Sequence, residues 1–267
     1  MYYTQIGNYI TGQEKLVKEL VRICADIILK GNNHNLLLVG NSGTGKTHIA
    51  KVLSNAFGVR NCIRYFPDKF VSIEKNTRIH IIDEIHLLKN PEILYTDIDT
   101  GKYSFIFSTN EYGELKNPLK NRCFLLPIEE YTMDNLAEIA NDLLIIEGFP
   151  LINFEILKSI ASVSRDNPRR CKEIVKRLSL IFRERGLPNN INELDYLLLE
   201  LNIGKGGMTL WDNKYLEFLT KSGKASINTI SLTTGMDEKF IREYVEPFLI
   251  KRNLIQITSR GRIICSH

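Results

Sequence analysis

One octapeptide restricts the fold of this chain more than any other feature. Residues 40–47 follow the apolar run Leu36 to Val39 and precede a helical stretch from Thr47 to Phe57. A strand, a glycine-rich loop and a helix in this order predict a phosphate-binding loop, because the loop N–H groups and the helix N-terminus point at an anion. We expect Lys46 to reach the terminal phosphates of a nucleotide and the Thr47 hydroxyl to ligate Mg²⁺. The complete loop is Gly40, Asn41, Ser42, Gly43, Thr44, Gly45, Lys46 and Thr47.

Short apolar runs before residue 130 indicate the sheet to which this loop belongs. They are too short and too uniformly apolar for a half-exposed strand, so they predict a parallel sheet covered by helices. An amphipathic helix over residues 13–29 comes before them. The runs are Leu36 to Val39, Cys62 to Tyr65, Ile79 to Ile82, Phe105 to Phe107 and Cys123 to Leu126.

Two carboxylates follow the third run, at Asp83 and Glu84. At a strand end beside a phosphate-binding loop, Asp83 is placed to hold the metal and Glu84 to orient and polarise an attacking water. The pair therefore predicts nucleotide hydrolysis. The alternative interpretation is a pair of solvated loop acids.

Other polar side chains complete the predicted site. Thr109 and Asn110 end the strand-like segment S-F-I-F-S-T-N, where either could contact the γ-phosphate or the water; a simple strand-ending turn is the alternative. Arg122 and Arg169 are candidate stabilisers of transferred phosphate charge, since such an arginine can accelerate transfer by about 10³ to 10⁵. Surface arginines on helices are the alternative for both.

From Thr132 onward, helices replace strands. Helical patterns begin at Thr132, Asn153 and Pro168, and another spans Glu193 to Leu201, so residues 131–202 predict a small helical domain after a 1–130 core. A glycine cluster at 204–207 then opens residues 203–267. These contain helical stretches, an Asp237 N-cap, and two strand runs joined by Ser259-Arg260-Gly261, a pattern typical of a winged helix.

The charge distribution supports a nucleic-acid contact in the last segment. Of 35 basic and 31 acidic side chains, residues 203–267 carry 10 and 6, so the whole net charge of +4 lies there. We expect DNA contacts from Lys251, Arg252, Arg260 and Arg262. A hairpin that is only solvated, or that binds a protein, is the alternative.

Composition narrows the class of protein. The chain is 43% hydrophobic and 25% charged, values typical of a globular fold. Its five cysteines form no C-x-x-C pair, which argues against a zinc site or a disulfide framework. The sequence shows no long apolar run and no secretory signal, so we expect a cytoplasmic protein without a membrane span.

The motifs together resemble the RuvB family, AAA+ motors of Holliday-junction branch migration. The resemblance covers nearly the whole chain. Its motifs are Y-I-T-G-Q (9–13), the phosphate-binding loop, D-E-I-H (83–86), P-L-K-N-R-C (118–123), P-I-E-E-Y (127–131), S-R-D-N-P-R-R (164–170), E-P-F-L-I-K (246–251) and S-R-G-R (259–262).

This resemblance implies an AAA+ core with a helical lid and a C-terminal winged helix, acting as a ring such as a hexamer. It places Tyr9 and Ile10 near the adenine of ATP and Tyr131 near the nucleotide, and makes Asp83 and Glu84 the Walker B pair. It further implies that Asn110 or Thr109 is sensor 1, that Arg122 acts in trans, and that Arg169 is the sensor 2 arginine. His86 belongs to the motif, and we expect a structural role for it.

Two departures from the family affect the expected partner and function. Only the 25 residues 85–109 separate Glu84 from Asn110, so the long β-hairpin that docks onto the junction-binding partner RuvA is expected to be missing. In addition, Lys120 replaces the usual arginine and T-N replaces the sensor 1 threonines, which makes this stretch similar to a clamp-loader subunit.

Three functions follow. The first is a DNA-dependent ATPase motor, of helicase type, acting on duplex or branched DNA in recombination and repair. The second is a loader that uses ATP to place a sliding clamp or replicative helicase on DNA. The third is an initiator or transposition regulator in which ATP is a slow switch. A partner protein (a junction-binding protein, a clamp or a helicase) is compatible with all three.

Overall fold

The computed structural model describes residues 2–58 and 61–265, with side chains from Ile6 onward, and the chain divides into two compact units. One unit comprises Met1–Ile139 with Asp166–Lys172, and the other comprises Ala140–Arg165 with Glu173–His267. The domain boundaries expected from the sequence, 1–130, 131–202 and 203–267, stay a prediction. Within the described residues, no helix combines the length and apolarity needed to cross a membrane.

The helices and strands follow the chain in an order close to the predicted one. The α-helices are α1 (Glu14–Ala25), α2 (Lys46–Phe57), α3 (Tyr95–Asp99), α4 (Asn117–Lys120), α5 (Met133–Ile146), α6 (Phe154–Ser162), α7 (Pro168–Arg185), α8 (Ile191–Glu200), α9 (Leu210–Ser222), α10 (Ile227–Thr234), α11 (Glu238–Phe240) and α12 (Glu246–Lys251). The strands are β1 (Asn35–Val39), β2 (Cys62–Tyr65), β3 (Ile79–Ile82), β4 (Ser104–Thr109), β5 (Phe124–Pro127), β6 (Lys224–Ala225), β7 (Ile255–Thr258) and β8 (Gly261–Ile264).

The first unit contains a parallel sheet, which within the described residues has five strands in the order β2-β3-β4-β1-β5. All residues of β3 and β4 are buried, as expected for central strands. Val39 is in register with Thr109, and Ile82 with Phe107. Because the carboxyl ends of parallel strands share one edge, this register brings the loop after β1 beside the residues that follow β3 and β4.

The prediction of burial on both faces is wrong for β5. Phe124 is 57% exposed and Leu125 is also exposed, because β5 lies at the edge of the sheet and pairs on one side only with β1. Its apolar run resembles that of a central strand, so the run alone does not distinguish the two positions.

The segment between β3 and β4 is short, as its length predicts. It forms 3₁₀ turns at Ile85–Leu87 and Pro91–Leu94 and the single turn of α3. No strand lies in it, and residues 83–103 are all described. The expectation that this chain lacks a long hairpin here is therefore confirmed.

The second unit ends in a winged helix. Helices α9 and α10 precede a continuous helix made of α11, a π-helical stretch (Ile241–Val245) and α12. Strand β6, which lies between α9 and α10 in the chain, forms an antiparallel sheet with the two strands after α12, in the order β6-β8-β7. A Cβ on Gly261, which has φ of +128°, would lie 2.6 Å from the Ala225 carbonyl oxygen, so the close approach of β6 and β8 requires glycine at this position of the wing.

Candidate nucleotide-binding site

The loop after β1 adopts the geometry that its glycines predict. Gly43 and Gly45 have φ of +82° and +97°, in the left-handed region where glycine has no steric penalty. Lys46 opens α2 and is only 4% exposed; its Nζ donates to the carbonyl oxygens of Gly40 (2.8 Å) and Asn41 (3.0 Å). Burial lowers the pKa of Lys46, while the Glu84 and Asp83 charges oppose that shift. The ammonium group is therefore held inside the loop, close to both acids.

Two residues that are distant in sequence, Asn167 and Arg169, form hydrogen bonds with the phosphate-binding loop. Asn167 Nδ2 donates to the Ser42 carbonyl oxygen (2.9 Å), and Arg169 donates from its backbone N to Gly43 O (3.3 Å) and from Nη1 to Ser42 Oγ (3.3 Å). A Cβ on Gly43 would come within 3.0 Å of Asn167 Oδ1. The structure therefore brings Arg169 to the loop, together with Asn167, which was missed at the level of sequence although it precedes Arg169 in the same N-P-R motif.

Tyr131 also reaches the loop, since its hydroxyl donates to the Thr44 carbonyl oxygen (3.0 Å). The other residues predicted near the nucleotide lie in an N-terminal segment. Ile10 is buried and Tyr9 is exposed, with the Tyr9 carbonyl oxygen 2.7 Å from His48 Nε2. This hydrogen bond connects the N-terminal segment to α2, the helix that follows the phosphate-binding loop.

Asp83 follows β3 and lies beside Thr47. Its Oδ2 accepts from Thr47 Oγ1 (2.7 Å) and from Arg64 Nη2 (2.5 Å), and its Oδ1 accepts from Ser108 Oγ. Burial alone would raise the pKa of Asp83, but these hydrogen bonds and the Arg64 charge hold it below its usual value. The adjacent Thr47 and Asp83 oxygens form a hard-donor pair of the type that Mg²⁺ prefers. Arg64 and Ser108 were missed, although Ser108 is a polar residue inside a buried strand.

Glu84 begins the 3₁₀ turn after β3 in a strained conformation. Its φ of +51° and ψ of +54° lie in the left-handed region, which costs a non-glycine residue about 1–3 kcal/mol. Its backbone N donates to Ser108 Oγ (3.1 Å), and its Oε1 lies 3.8 Å from Lys46 Nζ. The carboxylate is thereby directed toward the loop lysine, as a group that polarises water beside phosphate requires.

The two sensor 1 candidates have different surroundings. Thr109 is fully buried, and its Oγ1 accepts from Glu111 N (3.0 Å) and lies 3.0 Å from His86 Nδ1. Asn110 donates from Nδ2 to Glu111 Oε1 (3.4 Å), and its Oδ1 has no hydrogen-bond partner among the described residues. Asn110 therefore has the free polar atom, while the Thr109 hydroxyl is engaged.

Arg122 is bound within its own chain rather than to the phosphate-binding loop. Its Nε and Nη2 donate to Asp99 Oδ1 (2.7 Å) and Oδ2 (2.9 Å), and its guanidinium lies 4.9 Å from the Tyr95 ring centroid. The Asp99 carboxylate, first through its hydrogen bonds, raises the pKa of Arg122. Arg122 therefore stays charged, on a partly exposed surface.

The structure corrects one predicted DNA contact. The Arg262 side chain is 10% exposed, and its Nε and Nη2 donate to Glu246 Oε1 (2.8 Å) and Oε2 (3.3 Å). Tyr215 donates to the same Oε1 (2.9 Å). Since a guanidinium paired in this way cannot reach a phosphate without leaving a buried carboxylate alone, Arg262 holds the winged helix together.

The other three predicted contacts lie at the surface. Arg260 is exposed at the tip of the wing, and Lys251 is exposed at the end of α12. Arg252 is exposed too, but its Nη2 donates to Gly206 O (3.2 Å). In the continuous helix that precedes the wing, Arg242 pairs with Glu238 (3.6 Å) and Lys239 pairs with Glu243 (3.9 Å). These exposed charges of the helix therefore offset one another.

The comparisons with known proteins point to one family. Residues 205–267 match the family model described as RuvB C-terminal winged helix domain. A Holliday junction branch migration complex subunit RuvB from Campylobacter hominis is 30% identical over 98% of this chain and 86% of its own length. The subunit of the same name from Parabacteroides distasonis is 29% identical, over 94% and 84%. A solved Thermotoga maritima RuvB Holliday junction branch migration motor superposes with a TM-score of 0.78 at 25% identity, over 95% of this chain and 92% of that one.

Proposed function

The chain belongs to the RuvB family, and from this we propose that it is an ATP-driven motor that works on duplex or branched DNA as part of a homo-oligomeric ring. It is an AAA+ ATPase with a C-terminal winged helix. The matches to branch-migration subunits extend over most of both sequences, which favours this motor over a clamp or helicase loader and over an ATP-switched initiator.

One observation carries the ATPase function: Lys46, Thr47, Asp83 and Glu84 meet at a single edge of the sheet. Lys46 would offset phosphate charge, and Glu84 would orient the attacking water and accept its proton. Thr47 and Asp83 would hold Mg²⁺, which supplies further charge neutralisation on the phosphates. Asn110 Oδ1, which has no partner in the described chain, would accept a hydrogen bond from that water.

Arg122 would act on the neighbouring subunit. In its own chain Arg122 forms an ion pair with Asp99, and its charged guanidinium is partly exposed. At this surface it could contact the nucleotide bound by a second subunit. Hydrolysis would then require two subunits for each site. This is the part of the mechanism that links ATP turnover to assembly of a ring.

The DNA contact would be carried chiefly by the wing. Arg260 is exposed at its tip, and Lys251 and Arg252 lie at the end of the preceding helix. Because the other exposed charges of that helix pair with one another, we expect it to contribute little net attraction for phosphate. The short segment between β3 and β4 supports a motor that works without a RuvA-type partner docked on a hairpin there.

Steady-state ATP turnover tests this function. It should be measured with no DNA, with linear duplex, with single strand and with a four-way junction, and duplex or junction should stimulate it without any added protein. Glu84→Gln should lower kcat by about 10²-fold or more while ATP still binds, because the amide cannot accept a proton. Equal turnover by the wild type and Glu84→Gln would show that the hydrolysis site is wrongly assigned.

A further inference from the structure

His86 lies between two parts of the hydrolysis site. It sits two residues after Glu84 in the 3₁₀ turn Ile85–Leu87, and its side chain is 9% exposed. Its Nδ1 is 3.0 Å from Thr109 Oγ1 and 3.5 Å from Glu84 Oε2. A single ring nitrogen therefore faces both the end of β4 and the carboxylate that would polarise water.

That nitrogen can serve only one of the two groups at a time. Thr109 Oγ1 already accepts from the Glu111 backbone N–H, so its own hydrogen is available to His86 Nδ1 when the ring proton is on Nε2. When the ring proton is on Nδ1, the same atom can donate to Glu84 Oε2. Thr109 and Glu84 thus compete for His86.

Glu84 needs such a partner. Its Oε2 is buried and forms no hydrogen bond with any described residue, and its Oε1 is 3.8 Å from Lys46 Nζ, beyond hydrogen-bond distance. The backbone at Glu84 is fixed by Ser108, but nothing equally close fixes its carboxylate within the described part of the chain. A donor to Oε2 would settle the side-chain orientation and leave Oε1 for water.

We propose that His86 is a positioning residue for Glu84: its Nδ1 donates to Oε2 in exchange for its hydrogen bond with Thr109, and this exchange couples the catalytic carboxylate to the end of β4. This inference rests on the proposed ATPase function. Among the described residues, the polar contacts given by His86 Nδ1 are with Thr109 and Glu84, while Lys46, Thr47 and Asp83 are held by other partners. Loss of the imidazole should therefore slow the chemical step without weakening nucleotide binding.

Substitutions at His86 separate positioning from a merely structural role. His86→Leu should lower kcat at least tenfold, since small misplacements of a reacting group can cost about 10²-fold. The KM for ATP and the Kd for a fluorescent ATP analogue should stay within twofold. His86→Asn should recover at least threefold of the lost kcat, because the Asn amide nitrogen falls near the Nδ1 position; His86→Gln, whose amide falls nearer Nε2, should not.

Thr109→Val tests the link to β4. If Thr109 acts through His86, its effect on kcat should disappear when His86 is already Leu. Equal effects of Thr109→Val in both backgrounds would show that the two residues act separately and would overturn the link.

Two controls assign any failure. His34→Leu removes an imidazole that pairs with Asp26, away from the site, and should leave kcat within twofold. Glu84→Gln is measured in parallel. If Glu84→Gln abolishes turnover while His86→Leu stays within twofold of the wild type, or if His86→Asn and His86→Gln are equally slow, the inference is wrong and the proposed function stands. If Glu84→Gln turns over ATP like the wild type, the proposed function itself fails.

Discussion

Gly43 lies where the phosphate-binding loop meets Asn167, and its missing side chain has a measurable consequence. Gly43→Ala should lower ATP affinity at least tenfold, because the new Cβ would come within 3.0 Å of Asn167 Oδ1. Gly235→Ala is a matched control: Gly235 also lies in the left-handed region, with φ of +73° and ψ of +14°, but a Cβ there would have no described neighbour within 4 Å. Both variants should lose about 1–2 kcal/mol of stability to left-handed strain. Equal ATP affinities of Gly43→Ala and the control variant, measured by titration, would show that the close approach of Gly43 to Asn167 does not matter for ATP binding.

Arg262 and Arg260 are close in sequence but should differ sharply in stability effects. Arg262→Ala leaves the Glu246 carboxylate buried without its cation, and should lower the free energy of unfolding of the winged helix by about 3–5 kcal/mol. Arg260→Ala changes an exposed side chain and should stay within about 0.5 kcal/mol. Urea unfolding followed by Trp211 fluorescence measures both, since the chain's one tryptophan lies in the winged helix. A loss below about 1 kcal/mol for Arg262→Ala would refute the structural assignment.

The residues that sequence could predict are those whose role depends on local order along the chain. Lys46, Thr47, Asp83 and Glu84 each stand shortly after a strand, and strand order determines where they meet. Side chains that meet across long separations could not be predicted in the same way, because nothing local marks their partners: Arg64 and Ser108 bind Asp83 from 19 and 25 residues away, and Asn167 binds Ser42 from 125. Burial of Glu246 was equally hidden, since a carboxylate within a helix is usually exposed.

Among the elements, length decided what could be predicted. The central strands β1, β3 and β4 and the helix α7 agree with their apolar patterns, because each pattern extends far enough to identify a type. Strand β6 has two residues and shows no pattern of its own; it exists because it pairs with β8. The case of β5 is different, because its apolar run is as long as that of β3. Its position at the edge depends on which strands surround it, and its own residues do not show that.

The DNA contact proposed for the wing can be tested by measuring how DNA affinity depends on salt concentration. Arg260→Ala should make the slope of log affinity against log salt on duplex DNA less negative by about 0.9, the value for one phosphate contact. Lys18→Ala removes one exposed positive charge from α1 and should leave the slope unchanged. The slopes can be obtained from fluorescence anisotropy titrations at several salt concentrations. An Arg260→Ala slope equal to that of the wild type would exclude this arginine as a phosphate contact.

At the scale of the whole molecule, a shared site makes ATP turnover depend on the neighbouring subunit. Arg122→Ala mixed with an equal part of Glu84→Gln, each inactive alone, should recover about one quarter of wild-type turnover, because half of the sites keep Glu84 and half of those face a neighbour that keeps Arg122. Arg185→Ala, which removes an arginine paired with Glu200 on an exposed surface, is the control for mixing. A mixture of Arg122→Ala and Glu84→Gln that is no more active than the two variants alone would exclude a site completed in trans.

The residues that contact the phosphate-binding loop come from two separate stretches of the chain, 1–139 and 166–172. This limits how far the gene can be shortened. A fragment ending at residue 130 would encode the phosphate-binding loop and both acids but neither Tyr131, which binds Thr44, nor the Asn167 and Arg169 that bind Ser42 and Gly43. Expression of the ATPase portion therefore has to continue to residue 172 and carry residues 140–165 with it. Weak ATP binding by a shorter product would reflect the position of the cut rather than a defect in the loop.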